Sequence, residues 1–176
     1  MSGGAPAPAV RRDVFARIPL ASAFSALART AEELGRPGTV GWALDVMRAA
    51  VCDRPALVTE LITCLRAADL RAEAWGTVVE HLDDLSMYTL QTLVEERRGT
   101  HPGSTVLPYR NLVDLYLADT GNKYRYRHAA RHLKALRDIH RGLGAEPEFL
   151  LYLEELRTVA RPAFSPSSGL GGTHPE

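Results

Sequence analysis

The chain has 176 residues, 45% hydrophobic and 24% charged, and its 21 Lys and Arg balance 21 Asp and Glu to a formal net charge of zero. That length holds one domain, or one short helical array, with a real core. The neutral balance excludes a globally basic nucleic-acid binder and an acidic solvating chain, and no run approaches the roughly 18 apolar residues of a membrane span.

Ala, Leu and Arg, all strong helix formers, dominate the composition, while β-branched and aromatic residues are sparse. Residues 1–9 are rich in Gly, Ala and Pro and predict a disordered N-terminus. A first short helix is expected over 10–18, stopped by Pro19. The second, over 20–34, carries Phe24, Leu27, Ala31 and Leu34 on one stripe and ends at Gly35-Arg36-Pro37-Gly38. Thr39 is placed to cap a third helix over 40–52, with Trp42 or Ala43, Val46, Met47 and Ala50 facing inward. Asp53 is the expected N-cap of a fourth, with Pro55 in its first turn and Val58, Leu61, Ile62 and Leu65 inward.

Asp69 begins a junction, after which 71–82 resumes as helix around Trp75, Val78, Val79 and Leu82. Asp84 or Ser86 starts the next helix over 87–98, with Leu90, Leu93 and Val94 inward. The stretch 99–108, GTHPGSTVLP, is the longest internal break and the candidate hinge. A helix over 109–118 and a DTGN turn at 119–122 lead to a basic helix reaching Arg141. Gly142-Leu143-Gly144 signals its C-cap, and Glu146-Pro147-Glu148 opens a last helix ending near Arg161-Pro162. Residues 164–176 predict a flexible tail, which leaves a helical domain over 10–163. Eight or nine short helices joined by short turns predict an all-α fold of antiparallel helical hairpins, an irregular α-solenoid rather than a four-helix bundle.

Cys52 and Cys64 form no CxxC motif and each lies among apolar neighbours, so both are expected as core thiols. With no apolar leader at the N-terminus, the expectation is a cytoplasmic protein.

The C-terminal helices also carry a likeness. Tyr126, Ala129, Ala130, Leu133, Leu136 and Arg137, then Phe149, Tyr152, Leu153, Leu156, Arg157 and the Arg161-Pro162 pair, together with WALDVMRAAVCDRPAL and Trp75 upstream, stand in a pattern that resembles the C-terminal TPR-like helical region of bacterial SWIM-type zinc finger proteins. The family's zinc motif, CxC followed by CxH, is absent, so the resemblance implies the helical array as an interaction module and no zinc.

Charge is distributed unevenly along the chain. Residues 123–141 hold seven Lys and Arg against one Asp, or +6, which leaves the remainder at −6. At helical spacing Arg127, Arg131, Lys134 and Arg141 share one face, while Tyr126, Ala129, Leu133, Leu136 and Leu143 share the other. The basic face admits three readings: a solvated side, neutralised by acids such as Glu148, Glu154 and Glu155; a docking face for an acidic protein; or a phosphate-contacting face, with Tyr124 stacking on a base. His128 and His132 have metal-pair spacing with His140 two turns on, but no HExxH accompanies them and solvent-facing or groove histidines are expected. Glu80, Asp83 and Asp84 cluster at a helix end, where capping is the expected role. Trp42, Trp75, Tyr88, Tyr109 and Tyr116 lie on or near apolar stripes and are expected mainly in the core, with a peptide groove as the alternative. No phosphate-loop, dinucleotide or nucleophile-elbow motif occurs.

The functional expectation is therefore a non-enzymatic scaffold without a cofactor. It would bind a protein partner through Tyr124, Arg127, Arg131, Lys134 and Arg141; nucleic acid on the same face is the alternative.

Overall fold

Apolar stripes at helical spacing organise the chain into nine α-helices among the described residues, 8–36 and 38–160, of the computed structural model, with no strand among them. They are α1 (Pro8–Arg17), α2 (Ala21–Glu33), α3 (Gly38–Asp53), α4 (Val58–Ala67), α5 (Arg71–Glu80), α6 (Met87–Arg98), α7 (Val106–Ala118), α8 (Arg125–Gly142) and α9 (Glu146–Ala160). Short 3₁₀ turns precede α4 and α7 and follow α5. The expected tail at 164–176 and most of the expected N-terminal segment at 1–9 lie outside the described residues. Among those described, no helix is long and apolar enough to cross a membrane.

The stripes set the phase of each helix. Phe24, Leu27 and Ala31 of α2 are buried, as are Val58, Leu61, Ile62 and Leu65 of α4 and Leu90 and Val94 of α6. Leu34 is exposed because it is the C-cap of α2, past the last packed turn. In α3 the buried face is Ala43, Leu44, Met47 and Val51, turned one residue from the expected stripe. That rotation leaves Cys52 exposed, against the expectation of a core thiol, while Cys64 is buried. Burial penalises the Cys64 thiolate and pushes its pKa up to about 12.

Helix ends follow local chemistry. Ser86 caps α6 by accepting from the Thr89 N–H at 3.1 Å. Asp53 does not cap α4; it is the last residue of α3, and the 3₁₀ turn Pro55–Leu57 intervenes. Three helices end in the same Schellman geometry. Gly35, Asp69 and Gly144 have φ of 62°, 58° and 70°, and the following N–H returns to the carbonyl of Ala31, Leu65 and His140 at 2.8, 2.9 and 2.8 Å.

Most helices pack on the next, and specific contacts also tie elements two apart. Phe15 and Arg12 of α1 meet the Trp42 ring of α3, at 6.1 Å between rings and 4.1 Å from guanidinium to ring. Glu60 of α4 accepts from the Ala21 N–H of α2. Arg48 of α3 pairs with Glu73 of α5, and Arg66 of α4 with Glu96 of α6. Asn111 of α7 reaches Asp83 in the turn after α5 at 3.5 Å, and Arg131 of α8 pairs with Glu95 of α6. Arg110 of α7 lies 4.4 Å from the Tyr152 ring of α9. One continuous core runs through all nine helices, from Phe15 to Tyr152.

Candidate functional site

The α7–α8 hairpin is the foundation of the basic face. Tyr109 and Tyr116 of α7 meet α8 in reverse order, Tyr109 against His132 and Tyr116 against His128, so the two helices run antiparallel. Ala129, His132, Leu136, Ile139 and His140 form the buried stripe of α8. Tyr116 stacks on both His128 and His132, with centroids 4.9 and 5.3 Å apart, and its hydroxyl lies 3.1 Å from Gln91 Oε1.

Of the two expected placings, solvent-facing or groove, His132 takes the second, lining a recess, and His140 takes neither. His132 and His140 are 2% and 1% exposed. Stacking against tyrosine makes the imidazole of His132 a core group, and burial holds its pKa down to about 4, helped by the neighbouring Arg131 charge. His140 Nδ1 lies 2.8 Å from the Leu136 carbonyl. A carbonyl only accepts, so Nδ1 carries the proton; Nε2 is buried without a protein partner. No cluster of three metal-ligating side chains occurs among the described residues.

The opposite face of α8 carries the cations. Arg127, Arg131, Lys134 and Arg141 are all exposed. Arg131 pairs with Glu95 of α6 at 2.8 Å and Arg141 with Glu146 at 3.5 Å. The neutralising acids are thus Glu95 and Glu146 rather than the expected Glu148, Glu154 and Glu155; Glu154 pairs within α9 to Arg157. Arg127 and Lys134 make no ion pair with a described residue.

The N-terminal end of α8 is electrostatically unusual. Its first turn holds no acid, yet Lys123, Arg125 and Arg127 gather at the positive end of the helix dipole. Aromatic rings absorb part of the charge. Lys123 and Arg127 lie 4.9 and 4.7 Å from the Tyr124 ring, and Arg125 lies 4.7 Å from the Tyr126 ring. Tyr126, expected in the core, is 65% exposed, because the buried stripe begins one turn later at Ala129. Leu143, also expected inward, is 53% exposed, because it is the C-cap residue beyond the last packed turn.

A polar cavity of about 350 Å³ opens where α6, α7 and α8 meet. Arg98, Arg131 and Lys134 line it with Glu95 and Asp138, and Tyr109 and His132 form its buried floor. Arg98, Glu95 and Tyr109 escape a reading of α8 alone, since α6 and α7 supply them.

The remaining candidates are placed differently. His81 Nδ1 lies 2.9 Å from Asp84 Oδ2 in a 3₁₀ turn, and Asp83 faces Asn111. Trp42 and Trp75 are half-buried and Tyr109 and Tyr116 are buried, but Tyr88 is 83% exposed on the outer face of α6.

No protein-family model, curated protein or solved structure matches this chain.

Proposed function

We propose that the chain is a non-enzymatic, helical-repeat-like scaffold that binds an acidic protein partner through the basic face of α8. The succession of short helices, with contacts between elements two apart along most of the chain, supports an α-solenoid reading. So does the resemblance to the TPR-like region of SWIM-type proteins. The same reading assigns the protein to the cytoplasm, with Cys52 and Cys64 as free thiols.

The observation that carries the proposal is the placing of Lys123, Arg125 and Arg127 at the positive end of α8 without an ion pair to a described residue. Each such charge costs the helix about 0.3–1 kcal/mol. The Tyr124 and Tyr126 rings offset only part of that cost, and a local cost left partly unmet by the fold marks a position kept for contact with something outside it.

A pull-down from the native host, split so that one half is treated with nuclease, tests the reading. A protein that survives nuclease and is lost when Arg127, Arg131, Lys134 and Arg141 are all changed to Glu is the expected result. Unchanged capture by that variant would refute the assignment of the face.

A second reading, nucleic acid, is favoured by one feature: Tyr124 and Tyr126 are exposed rings interleaved with Lys123, Arg125 and Arg127. It requires affinity for an oligonucleotide to fall by about 0.7–0.9 log units per phosphate contact for each tenfold rise in salt. Undetectable binding at low salt eliminates it.

A further inference from the structure

The polar cavity between α6 and α8 does not end at its charged residues. It adjoins a second, more apolar recess of about 400 Å³, and the two share Arg98, Ala135 and Asp138. Pro102, Ile139 and Leu143 line the far end. Together they make a groove along α8 from Arg131 to Leu143, about 18 Å at 1.5 Å per residue. One end is cationic and the other apolar.

The cationic end has unspent charge. Glu95 is bonded to Arg131, and Asp138 lies beside Arg137 at 3.8 Å. Arg98 and Lys134 form no ion pair with a described residue. Beneath them lies the imidazole of His132, which lines the recess and packs against the Tyr109 and Tyr116 rings. The Tyr109 hydroxyl sits beside Arg98. Guanidinium, ammonium, phenol and imidazole donors converging on one recess suit a carboxylate, whose two oxygens accept about four hydrogen bonds. At the other end Leu143, a half-exposed aliphatic side chain above Pro102 and Ile139, offers a seat for a second apolar side chain.

We infer that this groove binds a segment of another protein that presents an acidic side chain to Arg98 and Lys134 and a bulky apolar side chain to Leu143. The inference rests on the scaffold reading and deepens it by naming the partner's chemistry. The α8 residues lining the two recesses centre about five positions apart, or about 8 Å. An extended segment covers that distance in two or three residues.

The test is an array of short Gly/Ser peptides carrying one Asp or Glu and one Leu, Phe or Trp at varied spacing, each with an Asn or Gln twin. Binding to the full chain is followed by fluorescence polarisation at low salt, and its location by NMR of the Leu143 methyls and the His132 ring. The expected result is an optimum at a spacing of two or three, at least about tenfold weaker binding for the amide twin, and a similar loss in Lys134→Glu. Leu143→Asp, an exposed position that leaves the basic stripe intact, loses the preference for the apolar residue. If no acidic peptide outbinds its twin, or if the shifts fall outside the groove, the inference fails. It fails as well if only a single-stranded oligonucleotide, or a second copy of the chain, moves the Leu143 and His132 signals. A native partner lost on reversal of the four basic residues but retained by Leu143→Asp would sink the groove and leave the scaffold standing.

Discussion

Glu60, in the first turn of α4, accepts a hydrogen bond at 2.6 Å from the Ala21 N–H that opens α2, across 39 residues of sequence. Nothing local could serve α2. Its N-cap is Leu20, which has no side-chain acceptor, and its first turn contains no acid. The carboxylate from α4 thus supplies both the missing acceptor and the negative charge that a helix N-terminus favours. Glu60→Ala should lower the unfolding free energy by about 1–2 kcal/mol, and Glu60→Gln, which keeps an acceptor, by about half as much. Urea midpoints at constant slope measure both. Equal losses would show that charge, rather than the hydrogen bond, is what α2 needs.

Asp69 ends α4 in the left-handed region at φ 58°, where Gly35 and Gly144 end α2 and α8. A Cβ in that region carries a steric cost of about 1–2 kcal/mol, which Asp partly relieves by local hydrogen bonding. Its ion pair with Arg71 joins two highly exposed side chains and adds little. Asp69→Gly should therefore raise the melting temperature, and Asp69→Val should lower stability by roughly 1 kcal/mol. A decrease on Asp69→Gly would mean that the Arg71 pair is worth more than the strain.

Arg131 is paired to Glu95 at 2.8 Å, but both side chains are largely exposed, at 62% and 41%. Water screens such a pair, and its coupling should be about 0.2–1 kcal/mol. A double-mutant cycle with Glu95→Ala and Arg131→Ala, read from urea unfolding, measures it. A value in that range leaves Arg131 free to exchange Glu95 for a partner carboxylate. A coupling several times larger would lock the pair and remove Arg131 from the contact face.

The legible parts of the fold are those decided within one helix. The α2, α4 and α6 stripes set their own phase, Ser86 marks a cap, and Gly142-Leu143-Gly144 spells a Schellman end. Decisions that depend on a neighbour were not legible. The α3 face turned by one residue because Leu44 and Val51, rather than Val46 and Ala50, lie deepest against the adjoining helices, and that exposed Cys52. Tyr126 and Leu143 have helical phase for the core, but lie beyond the packed turns of α8. The histidines read as polar letters, yet His132 satisfies its burial by stacking on tyrosines and His140 by bonding its own i−4 carbonyl. The basic stripe was legible from spacing alone. The groove beside it was not, since Glu95 and Arg98 come from a helix more than thirty residues earlier.

His132 gives the fold a defined acid sensitivity. Its pKa falls from 6.5 in the unfolded chain to about 4 in the fold, chiefly through burial and then through Arg131, with His128 adding to the fall and Glu95 opposing it. Between those two values the unfolded chain binds the extra proton and the native state does not. Stability therefore rises with pH across this window and is lost as pH drops from about 6.5 to about 4. The loss should be on the order of 2–3 kcal/mol once the window is crossed. His132→Phe keeps a ring against Tyr116 and cannot take up a proton. Its urea midpoint should fall less steeply than that of the wild type between pH 7 and pH 4, leaving only the part due to the other titratable groups. Parallel declines in the two proteins would show that the His132 ring reaches solvent through the cavity and titrates alike in both states.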